Sequence, residues 1–169
     1  MSGANMSVIP TVGDVFLIPL DDVSAVGGHV VAIREHEELY VAIMGHRVRR
    51  DENDPEVAIA GEPVLLTLSF DAKLSNGDWA IIGNLAGAVN RYPHPAFKIK
   101  YVGAMLIESR DRSVRRPATN DELDILQNRS VASPMVIEDA IRAHFGLGEW
   151  SESYNKRRAE YAAKSSELI

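Results

Sequence analysis

The chain has 169 residues, 46% of them hydrophobic and 25% charged, a balance that fits one globular domain and excludes disordered and fibrous classes. It has no cysteine, which excludes a disulfide scaffold, a thiolate zinc site and a cysteine nucleophile, and fits a reducing cytoplasm. A formal net charge of -6 opposes a phosphate backbone and attracts a basic protein partner.

Met1 to Val12 lack the basic start and continuous apolar stretch of a secretory signal. Runs such as Val64 to Leu68 and Trp79 to Ile82 fall far short of the ~20 residues a spanning helix needs. A soluble, cytoplasmic protein without a membrane partner is expected. Residues 13–110 read mostly as strands. Gly13-Asp14 turns into Val15-Phe16-Leu17-Ile18, apolar on both faces, and Pro19 should end that strand because it has no N–H to give a ladder. His29 to Ile33 and Leu39 to Met44 should pair as a hairpin across the charged segment Arg34-Glu35-His36-Glu37-Glu38. Asp51 to Glu56 reads as an exposed loop. In Val64 to Phe70, Leu66, Leu68 and Phe70 are expected on one face, and Leu65, Thr67 and Ser69 on the other. Asn76-Gly77 is a turn signal leading into Trp79-Ala80-Ile81-Ile82. Phe97, Ile99 and Tyr101 alternate with lysines, and Ala104 to Ile107 gives one more short strand.

Residues 118–165 read mostly as helix. Thr119 and Glu122 have capping-box spacing ahead of Leu123 and Leu126. Ser133-Pro134 reads as N-cap and first helical residue, and Val136, Ile137, Ala140, Ile141 and Phe145 form an apolar stripe that stops at Gly146. A last helix is expected from about Ser151, carrying Tyr154 and Tyr161. The fold class is therefore α+β over residues 1–169 as a single domain: an antiparallel, partly barrel-like sheet in the N-terminal two thirds, then two or three C-terminal helices.

No catalytic constellation is legible. His36-Glu37-Glu38-Leu39-Tyr40 begins like a zincin helix but lacks the second histidine. His29, His36 and His46 lack metal-ligand spacing, so no metal is expected. Gly83-Asn84-Leu85-Ala86-Gly87 has no phosphate-binding lysine and reads as a turn. There is no Gly-x-Ser-x-Gly elbow, and the pairs Glu37-Glu38 and Asp121-Glu122 read as solvated charge. Arg47, Arg49 and Arg50 should pair with Asp51 and Glu52, and the cluster Arg110, Arg112, Arg115 and Arg116 with Asp111. No catalytic, cofactor-binding or metal-binding residue is assigned.

The order of features resembles the immunity protein 26 family of bacterial polymorphic toxin systems. The marks are Gly13-Asp14-Val15-Phe16-Leu17-Ile18-Pro19-Leu20, Trp79 to Asn84, Pro95-Ala96-Phe97-Lys98, the Thr119 to Glu122 helix start, Glu138 with Ala140, and Trp150 with Tyr154. The resemblance implies a non-enzymatic protein that binds a cognate toxin domain one-to-one and neutralises it, as in contact-dependent growth inhibition. Gly13, Asp14 and Trp79 read as fold residues. Gly-Asp-Val also resembles the first strand of growth-inhibitor endoribonucleases with SH3-like barrels. Their Gly-x-Arg-Pro segment is replaced here by Gly27-Gly28-His29-Val30-Val31.

Toxins directed at nucleic acids tend to be basic, and an acidic surface speeds and orients their capture. Asp51, Glu52, Asp54 and Glu56 place four carboxylates within six residues, with Pro55 limiting the entropy lost on ordering. These four are the expected partner-binding residues.

Overall fold

The computed structural model describes residues 7–34 and 38–169. His36 and Glu37, within the expected hairpin connection, lie outside the described residues. Five strands form the first sheet: β1 (Asp14–Pro19), β2 (Ser24–Arg34), β3 (Glu38–Arg49), β4 (Pro63–Ser69) and β5 (Ala80–Asn84), all antiparallel in the order β4-β3-β2-β1-β5. One-turn helices α1 (Pro55–Ala58) and α2 (Ala72–Ser75) interrupt it.

Strand β1 lies inside the sheet, and Val15, Phe16, Leu17 and Ile18 are all buried, as a run apolar on both faces requires. Phe16 stacks on Trp79 at 5.5 Å. Gly28 leaves space for that ring, since a Cβ there would stand 2.3 Å from Phe16 Cζ. Pro19 pairs with Ala25 of β2 beyond the last β5 partner, so its missing N–H costs the sheet no bond to β5. The expected pairing of the second and third strands is present, with Val30 opposite Val41. Both strands run longer than their apolar stretches, β2 starting at Ser24 and β3 continuing through Gly45 to Arg49.

Of the residues expected to alternate over Val64 to Phe70, Phe70 lies beyond β4 and is 41% exposed, and from Leu65 to Ser69 both faces are buried, Thr67 and Ser69 included. The C-terminal third covers the polar face: Arg157 donates to Thr67 Oγ1 at 2.9 Å, and Ser69 bridges to Ala132.

Among the described residues the strands fall into two sheets, and neither closes into a barrel. After β5 the chain runs through a 3-10 turn (Ala86–Arg91) and past Pro93 and Pro95, which cannot donate to a ladder. It then forms a second antiparallel sheet, β6 (Ala96–Tyr101), β7 (Ala104–Ser109) and β8 (Arg115–Pro117), in the order β6-β7-β8.

The helical end follows the caps. Thr119 and Glu122 form a full capping box on α3 (Asn120–Ile125). Ser133 caps α4 (Pro134–His144), whose Ile137, Ala140 and Ile141 are buried, and Gly146 ends it at φ +76°. The helix expected from Ser151 is two pieces: a 3-10 turn (Glu152–Arg157) holding Tyr154, and α5 (Ala159–Ser166) holding Tyr161. One continuous cluster of buried side chains joins the first sheet to α1, α4 and α5. Among the described residues, no helix is long and apolar enough to cross a membrane.

Candidate partner-binding surface

The connection between β1 and β2 and the far end of β3 meet beside α1. Asp21 accepts from the Val23 and Ser24 amides at 2.9 and 2.7 Å and from the Ser24 hydroxyl at 2.8 Å. Those hydrogen bonds hold its carboxyl below the usual carboxylate range, so it is charged at neutral pH. The turn they fix leaves Val23 75% exposed, while the Val23 carbonyl accepts from Arg50 N at 3.0 Å. At the end of β3 the two-residue period turns Arg47 and Arg49 to solvent and leaves His46 and Val48 half-buried.

The four sequence-predicted acids lie on the next turn and on α1. Asp51 forms a two-bond pair with Arg49, at 2.9 and 2.8 Å. Glu52 accepts from the Asn53 and Asp54 amides at 3.0 and 3.3 Å, and Asp54 caps α1 by accepting from Glu56 N at 3.0 Å. The Glu56 carboxylate has no hydrogen bond or ion pair among the described residues. The segment is therefore a structured turn and helix start: three of its acids hold it in shape, and one is unengaged.

Helix α1 is pinned to the sheet by close backbone approach. A Cβ on Gly27 would meet the Ala58 carbonyl oxygen at 1.9 Å, and Gly83 similarly admits Pro55, with a Cβ–Cγ distance of 2.8 Å. Ala58 and Ile59 are buried, and Val57 is left 43% exposed. The result is an open groove of about 550 Å³ bordered by Val23, Arg47, Arg49, Glu52 and Val57. A second groove of about 510 Å³ runs beside it along Asp22, Val23, Arg49, Arg50 and Asp51.

Val23 and Val57 are exposed apolar points on the walls of these grooves, on segments (residues 21–24 and 47–57) that carry six carboxylates (Asp21, Asp22, Asp51, Glu52, Asp54, Glu56) and three guanidiniums (Arg47, Arg49, Arg50). An apolar centre with a polar rim is the anatomy of a protein interface. Sequence reading missed the two valines and the Asp21-Asp22 pair. The available signal was an Asp-Asp-Val turn directly after a strand.

The other candidates are tied into the fold. His29 is fully buried, with Nε2 3.1 Å from the Leu85 carbonyl and Nδ1 3.0 Å from the Tyr92 hydroxyl; burial lowers its pKa and keeps it neutral. Among the described residues, no group of three histidine, aspartate or glutamate side chains is placed to hold a metal ion. The second arginine cluster does not centre on Asp111, which instead accepts from Ser109 and Ser113. Arg112 and Arg115 reach Glu108, Arg112 also reaches Glu38, and Arg116 forms a fork on Glu122. Arg110 donates to His94 Nδ1 at 2.7 Å.

A family model described as Immunity protein 26 matches residues 11–103. The match covers more than half of the chain, and the chain belongs to the immunity protein 26 family. It takes in the whole first sheet, the surface just described and β6; the Thr119 to Glu122 helix start, Trp150 and Tyr154 lie beyond it. No curated protein and no solved structure matches the chain.

Proposed function

We propose that the protein is an immunity protein that binds one cognate toxin domain in the cytoplasm and neutralises it, protecting the producing cell and its kin. The whole chain works as one unit, by binding and not by catalysis. Family membership carries the role. The surface around Val23 and Val57 supports the contact: the six acids outnumber the three arginines there, which suits a basic toxin domain directed at nucleic acid. Asp51, Glu52, Asp54 and Glu56 contribute as part of this surface, with Glu56 offering the unengaged charge. The family match does not favour the endoribonuclease reading, which is not taken further.

The test is to co-express the chain with the toxin domain encoded beside its gene. The expected result is rescued growth and a one-to-one complex on size-exclusion chromatography. Continued killing with no complex counts against the role, and cleavage of total RNA by the chain alone would favour an enzyme.

A further inference from the structure

Arg157 is buried to 8% exposure, yet among the described residues it has no carboxylate partner. Its guanidinium donates to Thr67 Oγ1 at 2.9 Å, Ser130 O at 3.5 Å and Ser130 Oγ at 3.2 Å, and its buried Nε has no acceptor. All of these partners are neutral. Arg129, whose side chain is 9% exposed and whose Nε also lacks an acceptor, has both Glu38 and Glu108. A charge taken out of water without an opposite charge is strongly unfavourable, so the contrast points to a missing counter-charge.

Beside Arg157 lies a cavity of about 10 Å³, which has room for one water-sized body. Its walls include Thr67, Asn128, Ser130, Lys156 and Arg157, and they carry two cations and no carboxylate. We infer that Arg157 and Lys156 hold one monatomic anion, a halide such as chloride, in this cavity between β4 and the Glu152–Arg157 turn. The anion supplies the charge that Ser130 and Thr67 cannot. It also joins the helical end to the sheet at the face where Thr67 is buried. The titration behaviour agrees: burial alone depresses the Arg157 pKa, and burial with Arg157 depresses that of Lys156.

Thermal unfolding of the full chain tests the site while sodium chloride replaces sodium gluconate at constant ionic strength. The expected result is a saturable rise in Tm of about 3 °C. Lys156→Met should shift the half-saturation point to several-fold higher chloride, and Arg157→Met should abolish the rise. Bromide soaked into crystals of the unaltered chain gives an anomalous peak beside Arg157, a readout independent of whether Arg157→Met folds. Equal melting in both anions, or a bromide map with only water density in the cavity, would overturn the proposal.

Discussion

Charged residues of similar kind occupy two regions, the surface segments 21–24 and 47–56 and the stretch 108–129, and what surrounds them gives them different work. In the first, Arg49 and Asp51 pair with side chains 80% and 71% exposed. Such pairs contribute only about 0 to 1 kcal/mol, because water already solvates both partners. In the second, Glu108 is 2% exposed and meets Arg112, Arg115 and Arg129. Arg129 also reaches Glu38 at 2.5 Å, so β3 of the first sheet is tied to β7 of the second. A buried network need not outperform an apolar core, but losing one partner strands the others without solvent. The first region's charges are thus available to a partner, whereas the second's are committed to the fold.

Glu108→Ala should break the buried network with the largest effect, a loss of about 3 to 5 kcal/mol in urea unfolding, because it leaves Arg129 with half its charge partners. A loss below 1 kcal/mol would mean that water reaches the cluster. Ile141→Ala, at a closed position of α4, should cost about 2 to 5 kcal/mol. A Tm equal to that of the parent would place this stripe at the surface.

Glu122 sharpens the comparison from between the two extremes. Its hydrogen bonds from Arg116 and the Thr119 amide pull its pKa down to about 2. A folded-state pKa below the unfolded value stabilises the fold above the ordinary glutamate range, and that contribution is lost as pH falls toward 2. Replacing Glu122 with Gln should make the stability curve flatter between about pH 4.5 and 2, measured by urea midpoints across that window. An unchanged slope would show that the fork forms equally in the unfolded chain. The smallest effect on stability belongs to Glu56→Lys, within about 0.5 kcal/mol. This change should instead slow association with a basic toxin domain at low ionic strength, with the difference closing as salt is added. Parent-like association at low salt would remove Glu56 from the interface.

Much of this was legible in the sequence where the signal is local. The capping box at Thr119, the Ser133-Pro134 helix start, the stop at Gly146 and the two-sided burial of β1 all follow from short patterns. What was hidden depends on distant chain. Thr67 was placed on the face opposite Leu66, but nothing local reveals its cover, Arg157, which lies 90 residues away. The Gly27-Gly28 pair shows no neighbours in the sequence, yet each glycine makes room for one, Ala58 and Phe16 respectively. The acids at 51–56 were found by composition, yet composition did not reveal that Asp54 caps α1 or that Val23 comes alongside from another loop.

The central claim is that the toxin docks on the face centred on Val23 and Val57. The most direct measurement is the affinity of the Val23→Asp, Val57→Asp double variant for the toxin domain encoded beside the gene, by calorimetry, with its unfolding midpoint as control. Central apolar contacts typically carry about 2 kcal/mol or more when lost, so Kd should rise at least about thirtyfold while the midpoint stays near that of the parent. A parent-like Kd in a folded double variant would place the toxin on another face.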